Sequence, residues 1–148
     1  GPIGAGSIAK LVHNASSFCV QVALTEVFSM GVKAGVEPLA LWDAIRQGAS
    51  GRRRTFDRLA DGFLDGRFDP PSFALKLAHK DMTLATQLGR EIGSPMRVAN
   101  LVLEEMTEAM NRGWADRDSR VVSLLAEERN GLNLQLPLEE IEAVLKNG

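Results

Sequence analysis

The chain has 148 residues, 45% of them hydrophobic, a size and composition that suit one globular domain with a buried core. Its formal net charge of −2 gives no indication of a surface for nucleic acids or anionic membranes. A lone cysteine, Cys19, and two histidines exclude an internal disulfide and leave too few ligands for a typical metal site, so no metal is expected.

The most apolar stretch, residues 18–30, is interrupted by polar side chains, so no membrane-spanning segment is expected. No charged and apolar leader precedes it, and an unpaired cysteine suits a reducing compartment. We therefore expect a cytoplasmic protein that contacts neither membrane nor nucleic acid.

Alanine and leucine outnumber valine and isoleucine, tyrosine is absent, and no alternating strand pattern lies between hairpin turns. These features predict an all-α fold, a single helical domain over residues 1–148 that is built on a long first helix. Breaks that contain glycine or proline separate the predicted helices, which cover residues 7–33, 38–45, 53–64, 74–92, 96–111, 118–128 and 138–146. Ser94 is expected to cap the fifth of them.

Apolar side chains at helical spacing predict the buried face of the two longest helices. In the first helix the predicted stripe consists of Ile8, Leu11, Val12, Ala15, Cys19, Val22, Ala23 and Val27. In the fourth it consists of Leu77, Leu84, Ala85, Leu88 and Ile92, and Asp81 falls on the same stripe. A buried carboxylate needs a partner, so one interpretation is a structural aspartate that bonds the backbone or a neighbouring lysine.

The first segment contains a pattern that superficially matches a dinucleotide-binding fingerprint. Residues 4–9 read G-x-G-x-x-A, but the fingerprint requires a strand directly before it and a strand-helix-strand unit around it. Only three residues precede Gly4, and helices follow. We therefore reject this interpretation.

Lys10 and Asn14 lie one helical turn apart, on a polar face that Ser17 and Gln21 continue. This face is either the solvated side of an amphipathic helix or part of a ligand site. Glycines before the helix permit close approach of a ligand, and the helix start attracts a carboxylate. Lys10 could then act as general acid or base, if its surroundings favoured the neutral amine.

Two segments resemble the hallmark segments of the β-hydroxyacid dehydrogenase family, to which 3-hydroxyisobutyrate and 6-phosphogluconate dehydrogenases belong. The first is the pattern Gly1-x-x-Gly4-x-Gly6-x-x-x-Lys10-x-x-x-Asn14. The second is residues 73–85, where a Lys-Asp pair is followed by an apolar residue and then by Leu-Ala. Met82 stands where the family usually has leucine, a volume-conserving change. The resemblance covers about residues 1–128.

The resemblance implies a catalytic role for Lys10 and a hydrogen bond from Asn14 to the substrate. Gly4 and Gly6 would shape the substrate pocket. Lys80 and Phe73 would lie on the cofactor side, and Asp81 would fix its helix. The resemblance also implies the ligands. They are NAD or NADP, bound mainly by an N-terminal Rossmann domain that this sequence lacks, and a small 3-hydroxy acid or the corresponding semialdehyde or keto acid.

The resemblance further implies that the protein forms a homodimer or a higher homo-oligomer. Because no nucleotide fingerprint in its proper context is present, we expect the chain by itself to have no dehydrogenase activity.

The rival hypothesis is a non-catalytic helical dimerisation or adaptor module, in which the polar face and the Lys-Asp pair are surface features. The enzyme hypothesis predicts that Lys10, Asn14 and Lys80 converge on one cleft, whereas the adaptor hypothesis predicts that they lie on separate faces.

The roles of two further segments stay open. Arg52, Arg53 and Arg54 either clamp a carboxylate or phosphate or are ordinary surface arginines. Residues 131–148 form a tail outside the family pattern, and we assign it no function.

Overall fold

The computed structural model describes residues 3–48, 59–91, 93 and 96–146. Within these residues the secondary structure is helical, without a strand, which confirms the all-α prediction. One isolated antiparallel bridge joins Ala74 to Asp118. No helix in this part of the chain has the length and apolarity to cross a membrane.

Six α-helices are described, with bounds close to the predicted ones: α1 Ala5–Lys33, α2 Pro38–Gln47, α3 Leu75–Glu91, α4 Arg97–Asn111, α5 Ser123–Asn130 and α6 Leu138–Lys146. Of the helix predicted at 53–64, only the end is described, as a π-helical turn at Ala60–Leu64. The helix predicted at 118–128 is divided instead into a 3-10 helix at Ser119–Val122 and α5. The expected Ser94 cap lies outside the described residues.

Local signals explain where the early helices begin and end. The Glu37 side chain accepts a hydrogen bond from the Ala40 backbone N–H at 2.8 Å, and Pro38 occupies the first turn of α2, where its missing N–H costs nothing. After α1 the chain turns at Gly35, whose φ of 97° lies in the region that favours glycine. These signals account for the short connection between α1 and α2.

The chain divides into two compact units, and α1 supplies residues to both. The first unit comprises residues 1–23 and 68–122, and the second comprises residues 24–67 and 123–148. In the first unit α3 packs against α4, and the 3-10 helix packs against both. This packing supports the part of α3 that carries Lys80 and Asp81.

The predicted buried faces of α1 and α3 are partly confirmed, since Ala15, Asp81 and Ala85 are buried as expected. In α1, Ile8 and Ala23 are exposed, and the buried side chains are Ala15, Phe18, Thr25, Phe28 and Ser29. In α3, Leu77 and Leu84 are exposed, whereas Leu75, Ala78, Asp81, Met82, Ala85, Thr86 and Gly89 are buried. Small residues are frequent among the buried positions of α3, and Ala99 and Ala109 are buried in α4, which packs against α3. Small side chains let two helices approach closely. A stripe chosen by the largest side chains misses such a face.

The second unit has a core rich in aromatic side chains. It consists of Phe28, Trp42, Leu59, Ala60, Phe63, Leu64, Leu134 and Ile141. Phe28 and Phe63 meet edge to face, with ring centroids 6.0 Å apart. Leu134 and Ile141 belong to the tail to which the sequence assigned no role. The tail therefore supplies part of this core.

Two tertiary hydrogen bonds also hold the tail in the second unit. The Leu136 backbone N–H donates to the Leu64 carbonyl at 2.7 Å. Arg46 on α2 donates from Nη1 to the Val144 carbonyl near the end of α6, again at 2.7 Å. Because these bonds join the tail to segments far away in the sequence, the tail is an integral part of the unit.

We expect Ile141→Ala to lower the free energy of unfolding by about 2–4 kcal/mol, because truncating a buried isoleucine leaves a cavity. Ile141 is 2% exposed, whereas Leu145 on the same helix is 37% exposed. Leu145→Ala is therefore the matched control and should change stability little. Chemical denaturation of the three proteins measures both effects, and equal losses for the two variants would contradict the assignment of the tail to the core.

Candidate functional site

Helix α1 places Lys10 and Asn14 on the face that meets Asp81 of α3. The Asn14 Nδ2 atom donates a hydrogen bond to Asp81 Oδ2 at 2.8 Å. The Lys10 Nζ atom lies 3.3 Å from the same oxygen. Residues separated by about seventy positions in the sequence are thus in direct contact.

Lys80 reaches the other oxygen of the same carboxylate. Its Nζ lies 3.0 Å from Asp81 Oδ1, so the two lysine amines bind the two oxygens of one carboxylate. The Asp81 side chain is 2% exposed, whereas those of Lys10 and Lys80 are 59% and 56% exposed. We call these four residues, Lys10, Asn14, Lys80 and Asp81, the Asp81 cluster.

Three donors satisfy the buried carboxylate at the centre of the Asp81 cluster. Burial raises the pKa of Asp81, but the hydrogen bonds from Lys80, Asn14 and Lys10 together outweigh it and leave the pKa below its usual value. Asp81 is therefore a carboxylate at neutral pH. It holds two partly solvated ammonium groups beside one amide.

Phe73, two residues before α3, makes a second contact with α1. Its ring stacks on that of Phe18, with centroids 6.1 Å apart and planes inclined by 16°. Phe18 lies one turn after Asn14, so the same face of α1 contacts the 73–81 segment twice. The predicted site residues Lys10, Asn14, Phe73, Lys80 and Asp81 therefore lie along one contact between α1 and that segment.

The two glycines predicted to shape a pocket lie at the start of α1. Gly4 has a φ of 92°, which strains any residue with a side chain, and its carbonyl accepts the Ile8 N–H at 3.1 Å. A methyl group at Gly4 or Gly6 would meet no atom of the described residues within 4 Å. Their role in a substrate pocket stays a prediction. Gly1 and residues 52–54, the arginine run, lie outside the described residues.

Sequence reasoning missed the tertiary role of a second buried carboxylate, Asp118. The sequence placed it at a helix start, and its Oδ1 does accept the Arg120 backbone N–H at 3.0 Å, as a capping residue would. Its Oδ2 also accepts bonds from Ser72, 46 positions earlier. No pattern of neighbouring residues predicts a hydrogen-bond partner 46 positions away.

The arrangement suits binding of an anion and transfer of a proton. Each lysine ammonium has three donors, so a bond to Asp81 leaves donors for a second acceptor. The Asn14 amide adds a neutral polar group at the same place. In the described part of the chain, no group of three or more His, Cys, Asp or Glu side chains could hold a metal ion.

Comparisons with known proteins agree with this picture. The sequence model of the family described as "NAD-binding of NADP-dependent 3-hydroxyisobutyrate dehydrogenase" matches residues 4–125. The chain is similar to 2-(hydroxymethyl)glutarate dehydrogenase of Eubacterium barkeri, with 27% identity over 90% of this chain and 44% of the relative. It is also similar to the NAD-dependent L-serine dehydrogenase of Pseudomonas aeruginosa, with 25% identity over 88% of this chain and 46% of the relative.

A solved structure supports the fold. The crystal structure of 3-hydroxyisobutyrate dehydrogenase from Salmonella typhimurium matches with a TM-score of 0.71 and 24% identity, over 82% of this chain and 42% of that chain. The chain thus spans less than half the length of the relatives that it matches. The description of the matching family names NAD, in agreement with the predicted nicotinamide cofactor. With a match that runs from residue 4 to residue 125, the chain belongs to this NAD-binding family of 3-hydroxyisobutyrate dehydrogenases.

Proposed function

We propose that this chain is the helical, catalytic part of an NAD(P)-dependent dehydrogenase that oxidises a small 3-hydroxy acid or reduces the corresponding semialdehyde or keto acid. The observation that carries the proposal is the convergence of Lys10, Asn14 and Lys80 on the buried Asp81 carboxylate. The dehydrogenases named among the relatives support the reaction class.

Lys10 is the proposed general acid and base. In the oxidative direction the neutral Lys10 amine takes the proton of the substrate hydroxyl, and the carbon that bears this hydroxyl would give its hydride to a bound nicotinamide cofactor. In the reductive direction the Lys10 ammonium returns that proton to the oxygen. Asn14, which donates a hydrogen bond to Asp81, would orient the reacting oxygen, as general acid–base catalysis requires.

Lys10 lies close to one opposite and one like charge. The Asp81 carboxylate is 3.3 Å from its Nζ, and the Lys80 Nζ contacts the other oxygen of the same carboxylate. The Lys10 side chain is 59% exposed, so its amine is open to solvent.

The residues at the site fit a nicotinamide cofactor. Its bound nicotinamide ring would accept or supply the hydride. Lys80 retains donors for a polar group of such a ligand, because Asp81 occupies only part of its ammonium. Phe73 is half-buried and offers an aromatic edge near the start of α3. These two residues are the proposed cofactor contacts.

The remaining partners are proposed on the same basis. The relatives are more than twice as long as their match to this chain, which leaves room in them for an N-terminal Rossmann domain. We infer that such a domain binds most of the cofactor, and that the protein acts in the cytoplasm as a homodimer or higher homo-oligomer. The adaptor hypothesis required Lys10, Asn14 and Lys80 to lie apart, and their common contact with Asp81 speaks against it.

We expect Lys10→Ala, in the full-length protein that joins this chain to its nucleotide-binding domain, to lower kcat by roughly 10²–10⁴-fold, the usual contribution of a general acid or base. The measurement is turnover of a panel of small 3-hydroxy acids with NAD and with NADP. Lys76→Ala is the matched control, because Lys76 is an exposed lysine of α3 that pairs with Asp116. Unchanged turnover in a folded Lys10→Ala protein would contradict the proposal.

The isolated 148-residue chain should give no turnover of any 3-hydroxy acid with either cofactor, because the residues that the structure describes include no strand, and a dinucleotide fingerprint requires one directly before it. A coupled assay at high enzyme concentration checks this expectation. Measurable reduction of NAD or NADP by the chain alone would refute it.

Asp81→Asn should change how stability depends on pH. Because the folded chain lowers the pKa of Asp81, its charge contributes stability that is fully present above the unfolded pKa of about 3.9 and is lost as the pH falls through the folded value. The stability difference between the original chain and the variant should therefore be largest near neutral pH and should shrink below about pH 4. Chemical denaturation at several pH values measures it.

The control for this pH series is Asp116→Asn, at an aspartate whose side chain is 83% exposed. Its effect should be small at every pH. A stability difference for Asp81→Asn that stays constant down to about pH 3 would show that the Asp81 charge is not what its partners stabilise.

A further inference from the structure

Asp118 is a buried charge for which the proposed chemistry has no use. Its side chain is 1% exposed, and both oxygens are fully engaged. Oδ2 accepts hydrogen bonds from the Ser72 N–H at 2.8 Å, the Ser72 hydroxyl at 2.7 Å and the Phe73 N–H at 3.2 Å. Oδ1 accepts from the Arg120 N–H at 3.0 Å and from Arg120 Nε at 2.6 Å. Asp118 thus joins the segment before α3 to the 3-10 helix.

The backbone beside Asp118 also supports the first turn of α3. Leu75 N–H donates to the Arg117 carbonyl at 2.8 Å, and Lys76 N–H donates to the Ala115 carbonyl at 3.0 Å. The first N–H groups of a helix have no partner within that helix, so these two carbonyls supply the missing acceptors. The Asp118 carboxylate binds the two residues Ser72 and Phe73 shortly before α3.

Phe73 connects the hydrogen bonds of Asp118 to the Asp81 cluster. Its N–H is bonded to Asp118, and its ring stacks on Phe18 of α1. Phe18 follows Asn14 by one helical turn, and Asn14 is bonded to Asp81. The contact between α1 and the 73–81 segment therefore consists of an aromatic pair, Phe18 with Phe73, and a polar pair, Asn14 with Asp81. Asp118 binds the backbone at the aromatic pair.

We propose that Asp118 is a positioning residue: by binding Ser72 and Phe73 it sets the start of α3 against α1, and so keeps Asp81 within bonding distance of Asn14 and Lys10. Its consequence for catalysis rests on the proposed function, whereas its consequence for the Asp81 cluster concerns this chain alone. The alternative is a local role for Asp118 in stability, without effect on the cluster.

The charge of Asp118 is suited to this task. Burial raises its pKa, but the bonds from Arg120 and Ser72 outweigh burial and hold the pKa well below the usual range, so the group is ionised at neutral pH. An asparagine at this position has one acceptor oxygen and one donating amide group, so it cannot accept bonds on both sides. Asp118→Asn therefore disrupts either the Ser72 side or the Arg120 side.

The test is a carbon-detected NMR titration of the Asp81 carboxyl in the 148-residue chain, with and without Asp118→Asn. In the variant we expect the pKa of Asp81 to move up towards that of an ordinary aspartate, because its donors no longer sit at bonding distance. The control is Val102→Ala, at a fully buried residue of α4 in the same unit, which lowers stability without removing a hydrogen bond. An Asp81 titration that is unchanged in folded Asp118→Asn, or shifted equally in Val102→Ala, overturns the proposal.

Ser72 provides a milder variant should Asp118→Asn not fold. Ser72→Ala removes only the hydroxyl bond to Asp118 and leaves the backbone bond in place. We expect the pKa of Asp81 to rise less in Ser72→Ala than in Asp118→Asn. In Ser72→Thr, which keeps a hydroxyl at this position, the pKa of Asp81 should stay at its original value. A Ser72→Ala protein that titrates at Asp81 like the original chain overturns the proposal.

Kinetics of the full-length protein separate this inference from the proposed function. There Asp118→Asn should lower kcat by about tenfold or more through misplacement of the reacting groups, with a smaller change in the KM for the cofactor. If the original protein turns over no 3-hydroxy acid but the NMR shift occurs, the proposed function fails and the positioning role stands. If the original protein is active but Asp81 titrates unchanged in Asp118→Asn, the proposed function stands and the positioning role fails.

Discussion

The first unit and its candidate site depend on the contacts of one buried carboxylate, that of Asp81. A charge that loses its water must find other partners, and here the partners are one amide and two ammonium groups. Two positive charges and one negative charge leave the cluster with one net positive charge. The same bonds that make the aspartate tolerable in the interior therefore create a local attraction for anions at a surface where both lysines are still accessible to solvent.

This constraint also explains the organisation of the first unit. Asp81 can lie in the interior because α1 brings Lys10 and Asn14 to α3, which also packs against α4. Alanine and glycine are among the buried residues of α3, and small side chains of this kind permit close packing of helices. Phe18 and Phe73 add an apolar contact beside the polar one. Structure and candidate chemistry therefore share the same residues, and a change to one of them affects both.

The sequence could predict what depends on local chemistry. Glycine and proline breaks located most helix ends within a few residues, and α6 was predicted with its observed bounds. The spacing of Lys10 and Asn14 correctly indicated a shared face, and the resemblance directed attention to Lys80 and Asp81. All of these inferences use residues within a few positions of one another or a motif that is already known.

What the sequence could not predict depends on distant partners. Asn14 and Asp81, or Ser72 and Asp118, are joined only when helices pack, and no spacing rule relates them. Part of the buried face of α3 was misassigned, because Leu77 and Leu84 were weighted above Ala78, although close packing between helices favours the smaller residue. A sequence pattern shows how apolar a side chain is, whereas its burial also depends on which other helix packs against it.

The tail shows that the extent of a family match and the extent of a folded core differ. The match ends at residue 125, yet Leu134 and Ile141 beyond it close the core around Trp42 and Phe63. A polypeptide cut at that match boundary would expose part of this apolar core to water, and exposed apolar surfaces promote self-association. A shortened version of this chain should therefore keep α6, since a piece without it is prone to precipitate.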